Sequence, residues 1–133
     1  MNDTNHIRKY INYHNQYVKK YGENTVIFMQ TGSHFNIFAV INDEINDGPD
    51  IYNICTNILN NSLQVTRQNK SKPEVSYKNC LMAGFPLYSV NKYENMLLDN
   101  NFTAVIVEQI TPPPNTERGV TRIISPGTTI DNP

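Results

Sequence analysis

His34, Phe35 and Asn36 set an imidazole, an aromatic ring and an amide on three consecutive residues, directly after the glycine-centred turn signal Thr31-Gly32-Ser33. Held out on a rigid scaffold, such a trio can stack on a flat partner and hydrogen-bond to its edge. The alternative is an ordinary core hairpin whose aromatics pack inward, and pattern alone favours that one.

Other reactive groupings are sparse. Residues 67–78 are polar and hold the main basic concentration, Arg67, Lys70, Lys72 and Lys78. They read either as a disordered loop or as a phosphate contact. Glu108 at the end of an apolar run invites comparison with metal-dependent nucleases. A magnesium site usually needs a second carboxylate, however, and no motif supplies one. His6 and His14 lack an acidic or cysteine partner at zinc-like spacing. Residues 42–50 are acidic around Gly48, but Ile45 and Ile54 fall where a calcium loop needs an oxygen ligand and a bidentate Glu. A solvated turn is the better reading. No phosphate-cradling G-x-x-x-x-G-K-(S/T) occurs, so no nucleotide hydrolysis is expected here.

The elements that must position these groups follow from periodicity. Ile7, Tyr10, Ile11, His14, Tyr17, Val18 and Tyr21 fall at steps of three and four, an amphipathic helix over 5–21. Asp3 or Thr4 is placed to cap it and Gly22 to end it. Two runs rich in Val, Ile and Phe, 26–29 and 35–41, flank the turn and predict a β-hairpin. Asp50 reads as the cap of a helix over 51–59, ended by Asn60-Asn61. Residues 63–67 alternate as a short strand. Residues 80–86, punctuated by Gly84 and Pro86, read as an apolar turn leading to Ser89, the cap of a helix over 90–98. Residues 102–110 form the clearest interior strand. After Pro112-Pro113-Pro114, residues 119–124 give a last strand, on which Arg118 and Arg122 would share a face.

One domain of 133 residues has room for a real core. Net charge is −1 and charged residues make up 17%, below the roughly 25% of average domains, so any basic surface must be local. Cys55 and Cys80 fit no C-x-x-C pattern and read as buried thiols. With no signal-like or membrane-length apolar run, a reducing intracellular compartment and no membrane partner are expected.

Three segments together resemble the N-terminal mismatch-recognition domain of the MutS family of DNA mismatch-repair ATPases. G-S-H-F-N-I-F in the hairpin stands where the family has G-x-F-Y-E-L-F. Met82-Ala83-Gly84-Phe85-Pro86-Leu87-Tyr88 is similar to P-M-A-G-(I/V)-P-Y-H. Ala104-Val105-Ile106-Val107-Glu108-Gln109, followed by Arg118-Gly119-Val120-Thr121-Arg122-Ile123-Ile124-Ser125-Pro126-Gly127-Thr128, matches V-A-(I/V)-x-E-Q and V-x-R-x-(I/V)-T-P-G-T. Order and spacing agree over nearly the whole chain.

The resemblance implies an α/β fold, a mixed β-sheet flanked by helices over residues 1–127, with 128–133 beginning a linker to the rest of a longer parent. It implies a domain that is not itself an enzyme and holds no cofactor, with ATP and Mg bound elsewhere in a dimeric parent. The implied partner is double-stranded DNA with mispairs or small loops, entered through the minor groove. An aromatic wedge stacks on the mispaired base there, and a Glu hydrogen-bonds to it. Residue by residue, the wedge Phe falls on His34, its Tyr on Phe35 and its Glu on Asn36, with Ser33 at the turn. Met82 matches a methionine near the bent groove, or is core. Arg122 matches an arginine near the DNA backbone, and Arg67 with Gln68 stands at a basic turn. Three outcomes stay open: altered recognition through His34, a register change that makes Phe35 the wedge, or a DNA-contact or structural domain without mismatch reading. Gly84, Pro86, Pro126 and Gly127 read as backbone-shaping. The asparagine-rich composition and loose motif match point to a divergent branch, viral or organellar.

Overall fold

The computed structural model describes residues 4–112 and 114–126. Asp3, Gly127 and the linker at 128–133 lie outside the described residues. The periodic segment folds as helix α1 (Asn5–Tyr21). Thr4 stands at its N-cap without a side-chain capping bond, and Gly22, at φ 98°, ends it. The hairpin forms as expected from β1 (Thr25–Thr31) and β2 (His34–Ile41), joined through Gly32 and Ser33.

Residues 42–50 form a turn held by Asn42. Asn42 Oδ1 accepts the Glu44 and Ile45 N–H groups at 2.8 and 2.7 Å, turning the chain into β3 (Asn46–Asp47), where Asp47 accepts the Tyr77 hydroxyl. Asp50 caps the short helix α2 (Ile51–Asn53), which continues as a π-helical turn, Ile54–Ile58. Asn60 and Asn61 at positive φ then end it.

The strand expected over 63–67 is only β4 (Thr66–Arg67). Residues 80–86, read as a turn, are instead the strand β5 (Leu81–Pro86), paired with β2 through six residues from Ala39↔Leu81 to His34↔Pro86. Alternation explains this: Leu81, Ala83 and Phe85 are buried, while Met82, Gly84 and Pro86 face the other way. Helix α3 (Val90–Asp99), β6 (Thr103–Gln109) and β7 (Arg118–Ile124) complete the chain.

Among the described residues seven strands make one mixed sheet in the order β4-β5-β2-β1-β6-β7, with β3 against β2 and only β1–β6 parallel. Helix α1 covers one face. Tyr10 donates to the Ile27 carbonyl at 2.8 Å, and His6 and Tyr10 meet Phe38 edge-on. Helix α3 covers the other, where Phe85 packs between Tyr93 (4.3 Å) and Phe28 (5.0 Å). A mixed sheet flanked by helices was the expected class, and it is the one found. Among the described residues no helix is long and apolar enough to cross a membrane.

One bulge governs the last strand. Ile106 pairs with Arg122 but Val107 pairs with Val120, so Thr121 is the extra residue. An extra residue reverses which face later side chains take. Arg118 therefore turns to the α1 face and Arg122 to the α3 face; they do not share one.

Candidate nucleic-acid interface

The hairpin tip is pinned from four directions. Gly32, at φ 62°, supplies the left-handed step the turn requires. Gln30 Nε2 donates to the Gly32 carbonyl (3.0 Å), and Gln30 Oε1 accepts the Gln109 N–H (2.8 Å), tying the turn to the end of β6. The Gln30 carbonyl accepts Arg118 Nε at 2.7 Å. On the other side, the Leu87 N–H donates to the Ser33 carbonyl at 3.1 Å. Ser33 and His34 are the exposed side chains of this tip, with Ser33 Oγ 3.1 Å from His34 Nδ1.

The other two members of the trio are placed differently. Phe35 is 3% exposed and lies on the α3 face, 5.9 Å from Phe85. It cannot serve as a wedge without a register slip that would turn every β2 side chain over, against a register fixed on both edges. The assignment of Phe35 to the contact surface is corrected accordingly. Asn36 is buried at 5% exposure. Its Nδ2 donates to Thr31 Oγ1, and its Oδ1 lies over Gly84. It braces the turn and does not reach the surface.

A Cβ at position 84 would overlap Asn36 Oδ1 and come within 2.9 Å of the Phe35 carbonyl oxygen. Gly84→Ala is expected to destabilise the fold by about 1–3 kcal/mol, the usual range for overpacking. Part of that loss should disappear in an Asn36→Ala background, since one of the two overlaps goes; denaturant unfolding of the four-member cycle measures it. Strict additivity would mean that the Asn36 amide does not set the space at Gly84.

Beside the tip, on the α1 face, a cleft of about 430 Å³ is lined by His6, Thr31, Phe38, Gln68, Met82 and Arg118. It unites Met82 and exposed Gln68 with Arg118, which sequence reasoning had not set among the contact residues. Met82 is half-buried, pairs with Phe38, and so is partly core and partly cleft wall. Arg67 donates through Nε to the Lys72 carbonyl (2.6 Å) and through Nη2 to the Lys70 carbonyl (2.9 Å). With buried Asn79 bonded to Asn69, Lys72 and Glu74, it orders the loop that could have read as disordered.

Arg122 stands apart. Its Nη2 donates to Glu94 of α3, on the opposite face from the cleft. Burial pushes the Glu94 carboxyl above its ordinary range, against the pull of Arg122. Glu108 accepts the Thr121 hydroxyl. No group of three or more His, Cys, Asp or Glu among the described residues could hold a metal ion. Both cysteines are buried free thiols, each pushed up to about 11 by burial.

Residues 53–133 match the family model described as MutS domain I. The chain belongs to this family. The DNA mismatch repair protein MutS of Petrotoga mobilis is 43% identical over 54 residues, covering 38% of this chain and 7% of that protein. The protein of the same name from Nitratidesulfovibrio vulgaris (strain DP4) is 40% identical over 55 residues, 38% of this chain and 6% of its own length. The chain thus spans a small fraction of these relatives. The match to MutS domain I begins after the hairpin, yet β2 is hydrogen-bonded along β5 inside the matched segment, so the tip belongs to the same sheet.

Proposed function

We propose that this MutS domain I contacts the minor groove of mispaired or otherwise distorted duplex DNA, as the reading head of a longer mismatch-repair ATPase, with His34 as the ring that enters the stack. The observation that carries the reading is the exposed His34 ring on a tip fixed by Gln30, Ser33 and Leu87. A wedge must be both exposed and rigid, because its work is to hold open a base step. Mispaired steps unstack at lower free energy than paired ones, so a fixed wedge discriminates through deformability without reading sequence. The cleft behind the tip, with Arg118, Gln68 and Met82, is where a bent backbone would run. ATP hydrolysis with its magnesium, and dimerisation, are assigned to parts of the parent beyond this domain.

One observation favours the second reading, a DNA-contact domain with no mismatch preference. The Asn36 amide is engaged by Thr31, so the base hydrogen bond of the family's Glu has no counterpart here. The two are separated in the parent protein by affinity for a G·T or single-base-loop duplex against perfect duplex, at one stated salt concentration. His34→Ala is expected to weaken mispair binding about 5- to 150-fold, since base–aromatic stacking contributes about 1–3 kcal/mol, and to leave perfect-duplex binding nearly unchanged. Equal affinity for both duplexes in the unmutated protein selects the second reading. A preference indifferent to His34 removes it from the wedge role.

A further inference from the structure

Arg118 stands at a junction. Its Nε donates to the Gln30 carbonyl at 2.7 Å, which orients the guanidinium at the start of β7. The same side chain lines two neighbouring hollows on the α1 face. One is the cleft beside the tip. The other, of about 210 Å³, lies against the flank of α1 that carries Lys9 and Gln16. Among the described residues neither lining holds a carboxylate, and no Asp or Glu comes within ion-pair distance of Arg118. A half-buried guanidinium without an acidic neighbour keeps its Nη edge for an anion from outside.

We propose that Arg118 and Gln30 couple backbone contact to the rigidity of the wedge. A duplex phosphate on the Nη edge seats Arg118, Arg118 seats Gln30, and Gln30 holds the turn that carries His34. The inference rests on the DNA reading above and adds two positioning residues to it. Gln30 is built for the middle place. Its carbonyl takes the Arg118 bond, its Nε2 reaches the Gly32 carbonyl at 3.0 Å, and its Oε1 takes the Gln109 N–H at 2.8 Å. It lines neither hollow, so it acts on DNA only through the turn. Coupling of this kind is reciprocal. If a phosphate on Arg118 steadies the tip, an inserted wedge tightens the phosphate contact in return. A mispair admits the wedge and a perfect duplex does not, so Arg118 strengthens mispair binding more. A phosphate contact thus contributes to discrimination, although phosphates themselves carry no information about the bases. Lysine cannot substitute, because one compact ammonium lacks the planar fork that serves both partners.

The test compares Gln30→Met, Arg118→Lys and the double variant in the parent protein. Each is measured on a G·T duplex and on perfect duplex across a salt series. Each single variant should lower the mispair-to-perfect affinity ratio about fivefold or more. Perfect-duplex affinity and its salt slope should stay nearly unchanged, since Gln30 touches no phosphate and lysine keeps the charge. The double variant should lose little beyond either single one, because both cut the same link. In the 133-residue chain, NMR order parameters at Gly32 and Ser33 should fall in both variants while those of α3 hold. Gln30→Glu, which keeps the Gln109 bond and loses the donation to Gly32, gives the same ratio loss and serves if Gln30→Met does not fold. An unchanged ratio, equal loss on both duplexes, full additivity, or an undisturbed turn each overturns the proposal while leaving the DNA reading in place. An unmutated parent without any mispair preference overturns the wedge reading itself, and the coupling with it.

Discussion

Phe85→Ala should lower the unfolding free energy by about 3–5 kcal/mol, the range for truncating a fully packed aromatic. The ring is 2% exposed and is held by Phe28 edge-on at 5.0 Å, Tyr93 stacked at 4.3 Å and Phe35 at 5.9 Å. These three belong to β1, α3 and β2, so one truncation opens the junction of the central strands with the helix above them. Domains of this kind retain about 5–15 kcal/mol in total, and the loss is a large share of that. Urea unfolding should show a lower midpoint at an unchanged slope, the mark of a change in stability and not in compactness. Phe85→Leu, which keeps most of the volume, should lose less than half as much. The effect also reaches the tip. Phe85 pairs with Phe35, and the neighbouring Pro86 pairs with His34, so hydrogen exchange at the His34 and Phe35 amides should accelerate beyond the global change. Equal acceleration everywhere would mean that the aromatic cluster does not set the rigidity of the hairpin.

The parts of this fold that could be read from the chain are those with unbroken periodicity. Helix α1, the β1–β2 hairpin and β6 each repeat one spacing without interruption, and each stands within a residue or two of where that spacing put it. Strand β5 defeated the same reasoning because Gly84 and Pro86 break the apolar alternation and look like turn residues. In the sheet Gly84 is demanded by the Asn36 side chain above it, a requirement that exists only once β2 and β5 are paired. The site was legible in the same uneven way. His34 is exposed at the tip, but Phe35 and Asn36 are buried, and strand parity alone does not say which of two adjacent polar or aromatic residues faces out. Nothing in the sequence marks Arg118 as a contact residue, and spacing alone puts Arg122 on its face, because both depend on one bulge at Thr121 that has no signature in the sequence. Gln30, which joins turn, β6 and Arg118, is a lone glutamine at a strand end and announces nothing.

Arg122→Met should give the second large effect, and its pH dependence tells why Arg122 is there. Glu94 has only 4% of its side chain exposed, and Arg122, at 33%, is its ion-pair partner. Removing one partner of a buried pair costs about 3–5 kcal/mol; with Arg122 a third exposed, about 2–3 kcal/mol at neutral pH is expected. Burial already raises the folded-state pKa of Glu94 above its ordinary value, while Arg122 and, in the other direction, Glu108 adjust it. A raised carboxyl binds its proton more tightly folded than unfolded, so stability falls as pH climbs from the ordinary carboxylate range through the folded pKa. Without Arg122 that pKa rises further and the window of falling stability widens toward neutrality. Below the ordinary carboxylate range Glu94 is protonated in both states, and the variant should approach the unmutated protein. Adding Glu94→Gln to Arg122→Met should recover most of the loss at pH 7, because no buried charge is then left unpaired. A pH-independent deficit would instead assign Arg122 to packing through its stem. A variant as stable as the parent sequence, yet weaker on every duplex, would return Arg122 to the DNA backbone, the role its motif first implied and its position across the sheet from the cleft argues against.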